Sequence, residues 1–130
     1  MVTAETGSKE ARTTITDFIR RGYSLYTVDI ALAESLNAIW KHVKIHRDLK
    51  TEEAKPTIQD LTRIYDKLKV LTTRELTEEA TAIALTQNIT IYDSLYIAAA
   101  RKLKATLYTS DQKLHEASKK VIDSIWLRTL

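Results

Sequence analysis

ITIYDSLYIAAARKLKATLYTSDQKL, running from Ile89 to Leu114, is the stretch on which the reading of this chain turns. At 100° per residue, Asp93, Tyr96, Ile97, Ala100 and Leu103 share one helical face, which predicts a helix over Tyr92–Lys104. Its buried stripe therefore begins with an aspartate. ATLYT, Ala105–Thr109, has the aromatic and β-branched content of a short strand, and Asp111 follows it at the head of a helix predicted to reach Lys119. Each aspartate alone has an ordinary explanation. Thr90 and Asp93 match a Thr-x-x-Asp box, and Asp111 stands where N-caps usually stand. Capping does not explain why both carboxylates sit at the rim of an apolar core.

The rest of the chain alternates in the same way. A helix is predicted from Ser8 to Arg21, with Ala11, Ile15, Phe18 and Ile19 on one face and Gly22 ending it. LYTV, Leu25–Val28, reads as a strand, and Asp29 as the N-cap of a helix reaching about Arg47 with Leu32, Leu36, Ile39, Trp40 and Val43 inward. A polar break over Thr51–Pro56 precedes a helix over Thr57–Asp66, with Ile58, Leu61, Ile64 and Tyr65 inward. The remaining segments are a strand at Leu68–Thr72, a helix at Thr77–Asn88 carrying Ala80, Ile83, Ala84 and Leu85, and a last strand within Val121–Leu127. Short apolar strands alternating with helices predict an α/β fold, a parallel sheet with helices on both faces. Sites in such folds gather at the carboxyl edge of the sheet.

Glu34 belongs to that edge. It lies one turn into the helix after LYTV, on a side shared with Ile30, Ala38, Lys41 and Ile45. Pairing with Lys41, or plain solvation, accounts for it equally well. The topology nonetheless gathers Glu34, Asp93 and Asp111, and three carboxylates at one edge repel one another unless a cation neutralises them. An all-oxygen cluster suits Mg²⁺ or Mn²⁺.

Composition narrows the alternatives. The 130 residues, 44% hydrophobic and 28% charged, suit one globular domain spanning residues 1–130. There is no cysteine, so thiolate metal sites and cysteine nucleophiles are excluded. With only Gly7 and Gly22 as glycines, no glycine-rich phosphate loop can form. No apolar run approaches the roughly 20 residues of a membrane span, and MVTAETGSKE lacks the pattern of a signal peptide, so a cytoplasmic protein without membrane contact is expected. The net charge of +3 permits an anionic partner without requiring one. Lys41, Lys44, Arg47 and Lys50 form a basic run, with Lys41 on the side of Glu34 and able to meet a phosphate. His42 and His46 have the i, i+4 spacing of zinc ligands, but the glutamate of a zinc protease motif is missing and His115 is remote, so the surface reading is simpler. Ser94, Thr109 and Ser110 have no histidine base placed by motif, and Thr109 and Ser110 suit orientation of the carboxylates.

YDSLYIAAARKLKATLYTSDQKL resembles the C-terminal signature of PIN domains, and LYTVDIALAESLNAIWKHV their second motif, with Glu34 in the acidic position and Asn37 following. The likeness runs from about Gly7 to Leu127 and points to the VapC-type toxins. It implies a three-layer sandwich and an Mg²⁺- or Mn²⁺-dependent ribonuclease, usually a homodimer, held inactive by a VapB-like antitoxin. By the same resemblance Asp93, Asp111 and Glu34 hold the ion, with Thr109, Ser110 and Asn37 behind them and Lys41 toward RNA. A water acidified by the ion then attacks an RNA phosphodiester in line. One departure is expected to matter. The family opens with a central strand ending in an aspartate, and both that strand and the first acidic residue look absent. Neither Glu5 nor Asp17 replaces it by motif, since neither reads as following a strand. Reduced or absent activity is therefore expected of this chain, the alternative being a non-catalytic PIN-like module for binding or oligomerisation.

Overall fold

Ser94 through Ala100 are all buried, with Ile97, Ala98, Ala99 and Ala100 at 0% exposure. This is a helix covered on every side, not one with a single apolar stripe. Three successive alanines make that possible, because their small side chains let neighbouring backbones approach from both flanks. A computed structural model describes residues 2–3 and 9–126, with side chains from residue 13 to 125. In chain order the elements are β1 (Val2–Thr3), α1 (Lys9–Arg20), β2 (Tyr26–Val28), α2 (Ile30–Lys44), α3 (Thr51–Lys67) and β3 (Lys69–Leu71). Then follow α4 (Thr73–Gln87), α5 (Ile91–Leu103), β4 (Leu107–Thr109), α6 (Gln112–Ser118) and β5 (Ser124–Trp126).

The sheet runs β3-β2-β1-β4-β5 with every neighbouring pair parallel. The side-chain period of two sends Leu107 to the face where α5 and α4 pack. Tyr108 points to the opposite face, where its ring meets Phe18 of α1 at 5.3 Å. On that second face Ile15, Leu25 and Leu68 form a smaller cluster with Phe18, Ile19 and Ile64, so α1 and α3 make the third layer. The α/β sandwich expected from the alternation is present.

The central strand is not missing. Val2 pairs with both Tyr26 and Leu107, and Thr3 with Tyr108, so β1, described over Val2–Thr3, fills the middle position. Two residues without alternation carry no periodic signal, which is why the sequence conceals this strand. The objection to Glu5 changes with it. Glu5 follows Thr3 by two residues, as Asp111 follows Thr109 by two, although Glu5 itself lies outside the described residues.

Other boundaries moved for identifiable reasons. The polar stretch Thr51–Pro56 is helical, and the actual break is Ile45–Lys50. Glu52 and Glu53 suit the first turn of α3, and the Glu53 carboxylate accepts the Lys50 N–H at 3.3 Å. Pro56 omits one hydrogen bond within α3, while Ala54 before it packs with Ile39 and Leu61. Helix α4 starts at Thr73, four residues earlier than expected, because Thr72 and Glu75 form a complete capping box. Asp29 does not cap its own helix. The register Val28↔Leu71 brings it beside Thr73, whose N–H and hydroxyl donate to its carboxylate at 2.8 and 2.7 Å. Three side chains expected inward are exposed instead: Trp40 (51%), Ile58 (38%) and Leu85 (86%). The apolar face of α2 is spent on Leu32, Leu36, Ile39 and Val43 against α3, which leaves Trp40 outside.

Candidate active site

Three elements deliver carboxylates to one cleft at the carboxyl edge of the sheet. The cleft holds about 120 Å³ and is lined by Glu34 and Ser35 of α2, Asp93 and Tyr96 of α5, Thr109 at the end of β4, and Asp111 and Leu114 of the α6 start. All three predicted acidic residues are therefore brought together. A larger groove of about 850 Å³ lies between α1 and α3, lined by Thr13, Asp17, Arg20 and Arg63 among others, and contains none of them. Asp17 is thereby placed away from the cleft.

Asp93 is the least conventional of the three. Thr90 caps α5 by accepting the Asp93 N–H at 3.2 Å, so half of the predicted box is made. The other half is not: the Asp93 carboxylate lines the cleft instead of returning to the Thr90 N–H. An aspartate is one methylene shorter than the glutamate such a box normally uses. Burial, and behind it the neighbouring Asp111 carboxylate, pushes the Asp93 carboxyl above the usual range, with Lys113 acting in the opposite direction. A half-buried carboxylate facing another is what a bound cation would relieve.

Asp111 caps its helix as expected and also lines the cleft. One carboxylate oxygen accepts N–H groups from Lys113 at 2.9 Å and Leu114 at 3.3 Å, capping α6. Its own N–H donates to the hydroxyl of Thr109, which is fully buried, at 3.0 Å. Thr109 thus fixes the backbone that presents Asp111. Glu34, on the exposed side of α2, accepts a hydrogen bond from the Tyr96 hydroxyl at 2.6 Å across 62 residues of sequence. That bond locks the carboxylate toward the cleft and pins α2 to α5.

Tyr96 was the residue the sequence undersold. It reads as part of an apolar stripe, yet a buried tyrosine hydroxyl needs a partner, and its position one turn after Asp93 was the available signal. Ser35, also buried, and Leu114 complete the lining. Of the remaining expected residues, Ser110 is half-buried and outside the lining, and Asn37 is exposed one turn past Glu34. Lys41 is exposed two turns along α2 from Glu34. No group of three or more carboxylate or imidazole side chains converges tightly enough to enclose an ion among the described residues. The donor set still fits a hard cation. Mg²⁺ and Mn²⁺ keep several waters and are commonly held by one or two carboxylates plus phosphate, so Asp93 and Asp111 with Glu34 nearby are a sufficient start.

The chain has recognisable relatives. The PIN domain matches it over residues 2–120. Ribonuclease VapC3 of Pyrobaculum aerophilum is 34% identical over 98 residues, 75% of this chain and 74% of that protein. A Pyrobaculum aerophilum protein of known crystal structure superposes with a TM-score of 0.73 at 21% identity, over 94% of this chain and 87% of its own. A domain of a functionally unknown protein from Methanocaldococcus jannaschii gives 0.54 at 21% identity, over 99% and 91%. These two structures speak for the fold alone. No helix among the described residues is long and apolar enough to cross a membrane. With one domain family spanning residues 2–120 and a third of the aligned positions shared with a VapC relative over most of both lengths, this chain belongs to the PIN domain family and is of its VapC type.

Proposed function

We propose that the chain is a cytoplasmic, Mg²⁺- or Mn²⁺-dependent endoribonuclease of the VapC toxin kind, paired with a VapB-like antitoxin and working as a homodimer. The observation that carries this reading is the shared cleft of Glu34, Asp93 and Asp111, with Asp93 withheld from capping. Bound there, the ion would supply positive charge and Lewis acidity for phosphodiester hydrolysis. The protein supplies position. Asp93 and Asp111 are the ligands, Asp93 in the first turn of α5 and Asp111 at the N-cap of α6. Glu34, held by Tyr96, orients water or a further ligand. Thr109 holds Asp111, and Lys41 offers a charge to a phosphate two turns from Glu34.

A second reading has one observation in its favour. Among the described residues no three carboxylate or imidazole groups converge on one point, and a binding or oligomerisation module would need no such convergence. Mn²⁺-dependent cleavage of a panel of structured RNAs separates the two. Cleavage by the chain, abolished in Asp93→Asn/Asp111→Asn while circular dichroism stays unchanged, is the expected result. No cleavage with Mn²⁺, or cleavage that survives the double substitution, overturns the nuclease reading.

A further inference from the structure

His42 and His46, which read as surface residues in the sequence, are brought side by side by the fold. His42 lies in the last turn of α2. His46 is beyond the helix end, where its N–H donates to the Lys41 carbonyl, five residues back, at 2.9 Å and closes the last turn. The two rings have centroids 5.3 Å apart and planes tilted by 54°. Two imidazoles bonded at about 2.0–2.1 Å to one tetrahedral ion would have centroids roughly 5.2 Å apart. The centroid spacing matches that of two imidazoles on one ion.

A third residue sets which ring nitrogen is available. The left-handed backbone of Arg47 (φ 55°) turns the chain back, and the Asp48 N–H donates to the His42 carbonyl at 3.1 Å. The Asp48 carboxylate oxygens then lie 2.8 and 3.1 Å from Nδ1 of His42. When Nδ1–H donates to Asp48, the lone pair is on Nε2. A carboxylate behind a histidine, holding its far nitrogen, is the arrangement that orients zinc-ligating imidazoles.

We propose that His42 and His46 form a binding site for a zinc-type divalent transition metal ion, with Asp48 as the positioning residue. The surroundings select the class of ion. Lys44, Arg47 and Lys50 line the adjoining surface pocket, and their charge opposes any ion held by electrostatics alone. Neutral imidazoles suit Zn²⁺, Cu²⁺ or Ni²⁺ and are poor ligands for Mg²⁺. Among the described residues no further carboxylate or imidazole joins the two rings as a third ligand, so water or a donor from another molecule would fill the open positions. The site is separate from the acidic cleft, since His42 lies eight residues beyond Glu34 on the same helix, about 12 Å along its axis.

The test is an isothermal titration of the full chain with Zn²⁺ in excess Mg²⁺, together with histidine-ring ¹H–¹⁵N spectra of the unmodified chain. Expected is saturable one-to-one binding that shifts the Nε2 signal of His42 and a ring-nitrogen signal of His46. His42→Ala or His46→Ala should abolish it, Asp48→Asn should weaken it by about 10-fold, and Asp93→Asn/Asp111→Asn should leave it unchanged. Absence of saturable binding overturns the proposal, as does binding that survives both histidine substitutions. Loss of binding in the Asp93/Asp111 variant instead would assign the ion to the cleft. An unaltered affinity in Asp48→Asn would remove Asp48 from the site.

Discussion

Helices α4 and α5 begin with the same Thr-x-x-acid pattern and put its carboxylate to opposite uses. At α4, Thr72 accepts the Glu75 N–H at 3.1 Å, and Glu75 returns the bond, accepting the Thr72 N–H at 2.9 Å and its hydroxyl at 3.0 Å. The bonds from Thr72 hold the Glu75 carboxyl below its usual range. At α5, Thr90 makes the same first bond, but Asp93 makes no return and its carboxyl is pushed up. One carboxylate is consumed by the backbone; the other is kept at a cost. A carboxylate left half-buried, with no side-chain hydrogen bond among the described residues, is where function is to be sought.

The difference can be broken most sharply by activity. Asp93→Asn should lower Mn²⁺-dependent RNA cleavage by more than about 100-fold, while Glu75→Gln leaves it near that of the unmodified chain. Equal losses would mean that both helix starts act only through stability. Glu5→Gln belongs beside it, because Glu5 stands to the central strand as Asp111 stands to β4. A loss comparable to that of Asp93→Asn is expected in the same assay. Unchanged rates would mean that three carboxylates suffice.

A smaller effect is expected one turn further along α5. Tyr96→Phe keeps the ring and removes the hydroxyl that holds Glu34, so cleavage should fall by about 10-fold with folding retained. A full loss, matching Asp93→Asn, would show that Glu34 needs Tyr96 in order to ligate rather than to orient. Chemical denaturation should then rank the caps themselves. Thr72→Ala, which undoes a reciprocal box, should cost about 1 kcal/mol, and Thr90→Ala about half as much.

The smallest effect is the dependence of stability on pH. The carboxyl of Asp93 titrates above 3.8 in the folded chain, so between that value and its folded pKa the native state holds more protons than the unfolded one. Stability attributable to this group therefore falls as pH rises through that window. Asp93→Asn should match the unmodified chain below the ordinary aspartate range and exceed it at neutral pH. Mn²⁺ should close that gap by raising the melting temperature of the unmodified chain alone. A gap of the opposite sign would place Asp93 in a stabilising bond.

Much of this was legible in the residues. Short apolar runs alternating with amphipathic segments dictate a parallel α/β sandwich, since strands that bury both faces need helices on each side. The same alternation put Glu34, Asp93 and Asp111 after strands or at helix starts, and one cleft gathers all three. What stayed hidden depended on partners distant in the chain. Val2–Thr3 is a strand only because β2 and β4 offer it a slot. Asp29 leaves its own helix because parallel register sets it beside Thr73. Tyr96 becomes a clamp only when α2 crosses α5. Local spacing determines which face of an element a side chain occupies. Which hydrogen bond a polar group accepts is decided by what the fold brings within about 3 Å of it.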